Sequence, residues 1–184
     1  MSLKNCNFYL LFMAPVLLLD IELLASPRLS VTQTPACSAA QLSFAIDNEN
    51  GYFDGMSHSG TLLVVRNLGP SVCTVPARPI LTLEDATHHP LPISFESPRG
   101  MHPGPVILPV VIPVGAEVTS EMRWVSSDAF GANNSISPAF VALAVDGATL
   151  RVKFTGELFG PAGKQPTYSV TLFKRDPVFT PSQP

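Results

Sequence analysis

The sequence has few charged residues. Asp, Glu, Lys and Arg make up 14% of its 184 residues, well below the ~25% of an ordinary soluble domain. The 11 basic residues do not outnumber the 14 acidic ones, and the net charge is −3. This balance excludes a nucleic-acid-binding protein with a basic surface. A disordered chain is also excluded, because 46% of the residues are hydrophobic and a chain that rich in apolar groups can build a core.

Proline, in contrast, is abundant. The chain has 19 prolines, about twice the ~5% of average usage. A helical bundle could not place them, since each proline inside a helix costs about 3 kcal/mol. No helical hydrophobic period extends over ten residues beyond the N-terminal segment. These observations predict a compact, all-β domain.

The N-terminal segment is typical of a secretory signal peptide. Lys4 precedes an uninterrupted apolar run over residues 8–19, and a positive start followed by a run of this length fits export. The run is shorter than the ~20 apolar residues that span a membrane. Cleavage is expected after Ala25, with the Ala36–Cys37 bond as the other candidate. An uncleaved signal anchor is the alternative interpretation.

Four segments follow from this interpretation. We expect a signal peptide over 1–25, a flexible linker over 26–36, a folded domain over 37–175 and a proline-rich tail over 176–184. The mature protein is then expected to be exported, either periplasmic or secreted, with no membrane span.

Only three cysteines are present, and export decides how they are interpreted. Cys6 lies within the predicted signal, which leaves Cys37 and Cys73. An even pair in an oxidising compartment is expected to form a disulfide. Two free buried thiols are the alternative. A metal site on two cysteines is disfavoured, because neither belongs to a C-x-x-C pair.

Short strand patterns separated by turn residues recur along the domain. Residues 117–125 show the clearest alternation: Val118, Ser120, Met122 and Trp124 are expected on one face, and Glu117, Thr119, Glu121 and Arg123 on the other. This pattern is typical of a strand with one buried face. Two further strand-like segments, 140–145 and 150–155, flank Asp146-Gly147, a strong hairpin signal; the second of them alternates between apolar and polar residues. The spacing predicts an immunoglobulin-like antiparallel β-sandwich of about seven to nine short strands.

No segment supports an enzyme. Residues 55–60 resemble the G-x-S-x-G nucleophile elbow, but Ser59 stands where the second glycine is needed. Residues 160–164 are rich in glycine and end in lysine, but they lack the phosphate-loop spacing. Asp47, Glu49 and Asp54 share one polar loop whose spacing fits no calcium-binding loop. We therefore predict no catalytic residues and no cofactor.

Two methionine–histidine pairs give one alternative. Met56 lies close to His58, and Met101 is followed by His102, all in predicted loops. Thioether and imidazole groups are the ligands that copper sites use. The alternative prediction is a periplasmic copper-binding module with these four residues as ligands. Histidines and methionines that merely occupy loops are the simpler interpretation.

The first cysteine begins a resemblance to a known family. The segments that carry it are residues 35–42, 60–67, 72–76, 79–83, 114–117, 122–124 and 160–161. Together they resemble the exported bacterial family called domain of unknown function 4232, over about residues 36–175. The resemblance implies a β-sandwich, export and a Cys37–Cys73 bridge. It also implies a second cysteine pair, at positions where this chain has Ser135 and Phe159.

The family brings no activity with it. The sequence therefore predicts an exported, non-enzymatic β-sandwich that is a binding module or an envelope-associated structural module. Its partner is a protein or envelope component of unknown identity, and nucleic acid is not expected. The sparse charge on the predicted outward faces leaves room for a contact surface.

Overall fold

A computed structural model of the chain describes residues 33–97 and 107–175. The predicted signal peptide, residues 26–32 of the predicted linker and the proline-rich tail lie outside these ranges, as do Met101 and His102. Within them the chain is almost entirely β-structure. Two short 3₁₀ turns, Ala39–Gln41 and Glu49–Gly51, are the helical elements there.

Thirteen strands lie in the described residues, and several have only two or three residues. In chain order they are β1 (Leu42–Asp47), β2 (His58–Asn67), β3 (Cys73–Val75), β4 (Leu81–Glu84), β5 (Ser94–Phe95), β6 (Val110–Ile112), β7 (Glu117–Val125), β8 (Asn133–Ile136), β9 (Phe140–Val145), β10 (Ala148–Lys153), β11 (Leu158–Pro161), β12 (Thr167–Val170) and β13 (Lys174–Arg175).

The largest sheet is built around β7. Its order is β1-β2-β7-β12-β5, and β13 pairs with β7 beyond the end of β12. The β2–β7 ladder is the longest, running from the His58–Val125 pair to the Arg66–Glu117 pair. The β5–β12 pair is parallel, an exception to the antiparallel pairing that the sequence predicts.

A second sheet has the order β10-β9-β4. Its β9–β10 hairpin turns at Asp146 and Gly147, which both have positive φ, 45° and 74°. Two consecutive left-handed residues are what a tight hairpin turn requires, so the predicted hairpin is confirmed. Two smaller sheets, β8–β11 and β3–β6, complete the described structure.

Side chains from the two larger sheets share the core. Leu63 and Met122 of the first sheet pack in one buried cluster with Leu83 and Val141 of the second. Apolar faces from two sheets buried against each other are the defining feature of a β-sandwich. The predicted all-β, sandwich-like fold is therefore confirmed. In β7, Val118, Ser120, Met122 and Trp124 are buried as the alternation predicts, but Thr119 on the other face is buried as well.

The disulfide lies in a second core cluster. Cys37 and Cys73 are bonded, each is 1% exposed, and they pack with Val65 and Ile112. Backbone hydrogen bonds flank the bridge, with the amide of Cys37 donating to the carbonyl of Thr74 at 2.8 Å. The predicted pairing is confirmed, and it ties the segment before β1 to β3.

Local differences from the predicted strands have a common cause. The expected strand over 91–96 contains only Ser94 and Phe95 in strand geometry. His58, predicted in a loop, is the first residue of β2 because it pairs with Val125. The strand count exceeds the predicted seven to nine because four strands of two or three residues form where a segment pairs with a neighbouring strand. Segments this short are not long enough to show a periodic pattern in the sequence.

Removal of the disulfide should lower stability substantially. The bridge closes a loop whose ends are 36 residues apart, for which chain entropy gives about 4 kcal/mol. We expect Cys37→Ala/Cys73→Ala to lose about that much unfolding free energy in urea titration. The wild-type protein under reducing conditions is the matched control and should approach the variant. A loss below about 1 kcal/mol would contradict the expectation.

The pairing of β8 with β11 places Ser135 directly opposite Phe159, the two positions that the family resemblance matches to a second cysteine pair. Opposed residues in antiparallel strands have Cα atoms about 4.5–5.5 Å apart, within the range of disulfides. Ser135→Cys/Phe159→Cys should therefore oxidise spontaneously and raise stability by about 1–3 kcal/mol.

Mass spectrometry of the intact protein and of its peptides would detect this bridge. The control is Asn134→Cys/Phe159→Cys, which is offset by one residue and so places the two thiols on opposite faces of the pair. Equal bridging in the control would show that the register is not as described.

Candidate ligand-binding site

One end of the sandwich holds a cavity of about 340 Å³, within the range of small-molecule sites. It lies where β1 and β7 end, where β2 begins and where the chain leaves β10. We call it the Trp124 cavity. The residues that line it are Ile46, Asn48, Gly51, Asp54, Ser59, Gly60, Trp124, Ser126, Phe154, Thr155, Gly156 and Glu157.

Trp124 is the central aromatic residue of this cavity. It lies on the inward face of β7, is 7% exposed and contacts Phe154 edge-to-face with ring centroids 5.1 Å apart. Its indole Nε1 is buried and has no hydrogen-bond acceptor among the described residues. Buried tryptophan N–H groups usually find an acceptor, so this one is an exception that needs explanation.

Gly156 lies against the edge of the indole that carries the N–H. A Cβ atom at this position would lie 2.9 Å from Cζ2 of Trp124 and 2.5 Å from Cζ of Phe154, so any other residue would force one of the two rings to shift. Cζ2 is on the indole edge next to Nε1, and Gly156 lines the cavity. The indole edge that carries the unpaired N–H therefore lies next to Gly156, a residue of the cavity wall.

The polar wall of the cavity carries negative charge. Asp54 and Glu157 supply carboxylates, and no Lys, Arg or His is among the lining residues. Ser59 donates its hydroxyl hydrogen to Oγ of Ser126 at 2.9 Å, which leaves the Ser126 hydroxyl hydrogen able to donate onward. Glu157 accepts a hydrogen bond of 2.6 Å from Ser135.

The loop that contains Asp54 is held in place by its neighbour Phe53. Phe53 is buried and lies under the guanidinium of Arg123, whose Cζ is 5.0 Å from the ring centroid. The amide of Asp54 donates to the carbonyl of Gly51 at 2.9 Å, and Gly51 has a φ of 82° that suits glycine. The sequence predicted this segment only as a polar loop.

A second cavity of about 200 Å³ includes His58, Glu96 and Thr167 in its lining. Several of its polar groups have protein partners: the Thr167 hydroxyl donates to Glu96 at 3.1 Å, and Nδ1 of His58 lies 3.0 Å from the hydroxyl of the neighbouring Ser57. Trp124 lines both cavities, but Gly156, which lies against the N–H edge of the indole, lines only the first. The first cavity is also the larger of the two, so it is the better candidate for a ligand.

A charge cluster lies on the outward side of the second sheet. Glu84 is 4% exposed and accepts hydrogen bonds of 2.7 and 3.2 Å from Arg151. Nδ1 of His88 lies 3.3 Å from the same carboxylate. The hydrogen bond from Arg151, the largest effect, lowers the pKa of Glu84, although burial opposes it. The same contact raises the pKa of Arg151.

The turn after β4 is held by Asp85. Its carboxylate accepts hydrogen bonds from the hydroxyl and amide of Thr87, each 2.7 Å, and from the amide of His89 at 3.0 Å. These bonds, led by the Thr87 hydroxyl, lower the pKa of Asp85. Elsewhere, burial raises the pKa of Tyr168, whose hydroxyl donates to the carbonyl of Leu81 at 3.0 Å. These groups stabilise the fold and lie outside the lining of the Trp124 cavity.

The predicted copper ligands are only partly described. Met56 is fully exposed, and His58 is exposed at the start of β2. Met101 and His102 fall outside the described residues, so the copper site stays a prediction. Within residues 33–97 and 107–175, no group of three or more His, Cys, Asp or Glu side chains is arranged to hold a metal. No helix in those ranges has the length and hydrophobicity needed to cross a membrane.

The comparison with family models matches the chain over residues 37–174 to the domain of unknown function family DUF4232. The chain belongs to this family. The resemblance found in the sequence is thereby confirmed. Neither the curated proteins nor the solved structures yielded a match. The domain family supplies no activity, so the function has to be inferred from the site.

Trp124 was predicted from the sequence as an inward residue of β7 but not as part of a site. The signal that points to it is its solitary occurrence, since it is the only tryptophan in the chain, combined with the donor that every indole carries. That the donor lacks an acceptor depends on the folded neighbourhood. Gly156 and Glu157, which follow β10, gave no signal in the sequence.

The Glu84–Arg151 pair predicts a pH dependence of stability. Because the pKa of Glu84 in the folded protein lies below its ordinary value of 4.5, its ionised form stabilises the fold above that pH. The contribution is lost as the pH falls through the lowered pKa. Glu84→Gln should be about 1–2 kcal/mol less stable at pH 7, and the difference should shrink below pH 4.5.

Urea unfolding at several pH values would measure this. Asp128→Asn, which neutralises an exposed carboxylate in the loop after β7, is the control and should show no such convergence. A constant difference between Glu84→Gln and the wild type from pH 7 to pH 3 would contradict the role of the ion pair.

Proposed function

We propose that this protein is an exported, non-enzymatic binding module that holds a small molecule in the Trp124 cavity. The observation that carries the proposal is the buried indole N–H of Trp124, which lacks an acceptor among the described residues and belongs to a residue that lines a polar cavity. An unpaired buried donor costs about 1–3 kcal/mol. A ligand that accepts a hydrogen bond there would recover this cost on binding.

The position of the cavity also supports a binding role. It lies at the end of a sandwich whose opposite end contains the disulfide, so a rigid scaffold presents loops that form the site. Binding residues are commonly carried on loops positioned in this way. Asp54 and Glu157 come from two such loops.

The cavity lining favours binding over catalysis. Ser59 and Ser126 are hydrogen-bonded to each other, and no histidine lines the cavity to activate either hydroxyl. The adjacent Ser57 and His58 form a contact of 3.0 Å, but within the described residues no carboxylate orients the other ring nitrogen of His58 as a catalytic triad would require.

Export is supported by two independent features. The first is the apolar segment after Lys4, which fits a signal peptide. The second is the Cys37–Cys73 disulfide, since such bonds persist mainly in oxidising compartments. A binding module in the periplasm or outside the cell would meet small molecules from the environment or the envelope.

The single tryptophan makes the proposal directly testable. Protein labelled with ¹⁵N has one indole N–H resonance, and it reports on the surroundings of Trp124. The probes form a defined panel of neutral sugars, amino acids, amines and organic acids. We expect a saturable shift of the indole resonance with at least one class, and the bound compound should be recovered chemically unchanged.

Two variants that fill the cavity, Ser126→Leu and Thr155→Leu, should abolish the shift. Asp146→Asn, at the hairpin turn of the second sheet, should leave it unchanged, because asparagine tolerates the positive φ of that position. The proposal fails if no compound of the panel shifts the indole resonance, or if the bound compound is consumed.

A further inference from the structure

We propose that the Trp124 cavity binds a neutral polyhydroxylated molecule, specifically a single sugar ring. This inference rests on the proposed function and specifies its ligand. It follows from the charge of the cavity wall, from the hydrogen bonds that the lining groups still require and from the aromatic residues beneath them.

The charge of the wall disfavours anions. Asp54 and Glu157 both line the cavity, and its lining includes no basic side chain. A carboxylate or phosphate entering the cavity would meet like charge with no cation to offset it. The ligand is therefore neutral or positively charged.

The hydrogen-bond requirements disfavour a simple cation. The indole N–H of Trp124 is a donor and needs an acceptor, whereas the carboxylates of Asp54 and Glu157 need donors. An ammonium group donates to carboxylates but has no lone pair to offer the indole. A hydroxyl group does both, so a ring bearing several hydroxyls satisfies the donor and the acceptors together.

The remaining lining groups suit the rest of such a molecule. The Ser126 hydroxyl, which accepts from Ser59, can donate to a further ligand oxygen. The rings of Trp124 and Phe154 meet edge-to-face beneath the cavity and offer an apolar surface for the C–H groups of a sugar. The volume of about 340 Å³ is near the lower limit of small-molecule sites. A cavity of this size suits a single sugar ring better than an oligosaccharide.

The test uses the ¹⁵N-labelled protein purified after export. Its indole resonance is followed during titration with glucose, galactose, mannose and N-acetylglucosamine, each in turn. Ethanolamine and glycine form the cationic and zwitterionic arms, and acetate forms the anionic arm. We expect a saturable shift with at least one sugar and none with ethanolamine or acetate.

Calorimetric titration with a sugar that shifts the resonance then measures how each lining residue contributes to binding affinity. Trp124→Phe keeps an aromatic ring but removes the donor, and it should weaken binding by about tenfold or more, since a hydrogen bond of this kind contributes about 1–3 kcal/mol. Asp54→Asn and Glu157→Gln, which retain the side-chain shapes, should each weaken binding as well. Asp146→Asn is the matched control and should bind like the wild type.

The outcomes separate the two proposals. A saturable shift with ethanolamine or glycine but with no sugar would overturn the sugar assignment and leave a ligand site at Trp124. No shift with any compound would overturn both. Sugar binding with unchanged affinity in Trp124→Phe and in Asp54→Asn would place the sugar elsewhere and overturn the inference. Far-ultraviolet circular dichroism is used to confirm that each variant is folded before its binding affinity is interpreted.

Discussion

The antiparallel pairing of β2 with β7 is the constraint on which the rest of the structure depends. Nine residue pairs join the two strands, from His58–Val125 to Arg66–Glu117. At the latter end, the ion pair of Arg66 with Glu117 at 2.7 Å lies close to the disulfide cluster. At the former end, Ser59 lies directly opposite Trp124. Because one continuous β2–β7 ladder joins the disulfide end to the cavity end, its register fixes which residue lies opposite Trp124.

The two ends differ in whether their buried polar side chains have hydrogen-bond partners. Next to the disulfide cluster, Asn67 is fully buried, and its amide group donates to the carbonyls of Ser71 and Ile112 at 2.8 and 3.0 Å while accepting from Gly69 at 2.9 Å. A buried amide with all these bonds specifies the turns around it. The indole N–H of Trp124 has no such partner among the described residues, so this buried side-chain donor carries an uncompensated cost at the cavity end. That contrast is the physical basis for assigning function to the cavity end.

The sequence predicts those features that depend on local pattern. The alternation of residues 117–125 identified β7, Asp146-Gly147 identified a hairpin, and cysteine parity in an exported chain identified the Cys37–Cys73 bridge. Segments such as Ser94–Phe95 were not predicted at their true length, because their strand geometry comes from pairing with β12 rather than from their own composition. The candidate site depends on Gly156 letting two rings approach. Such proximity between distant segments is set by tertiary packing, and a single sequence carries no periodic signal for it.

The cavity end also differs from the pattern that the family resemblance implies. Ser135 and Phe159 occupy positions matched to a second cysteine pair, yet β8 and β11 keep four register pairs without that bond. The Ser135 hydroxyl instead donates to Glu157 at 2.6 Å, and Glu157 lines the Trp124 cavity. A disulfide sulfur at this position would have no hydrogen to donate, whereas the serine hydroxyl binds a carboxylate of the cavity wall. This end of the sandwich is therefore held near Ser135 by a hydrogen bond, while the Cys37–Cys73 bridge supplies a covalent constraint at the other end.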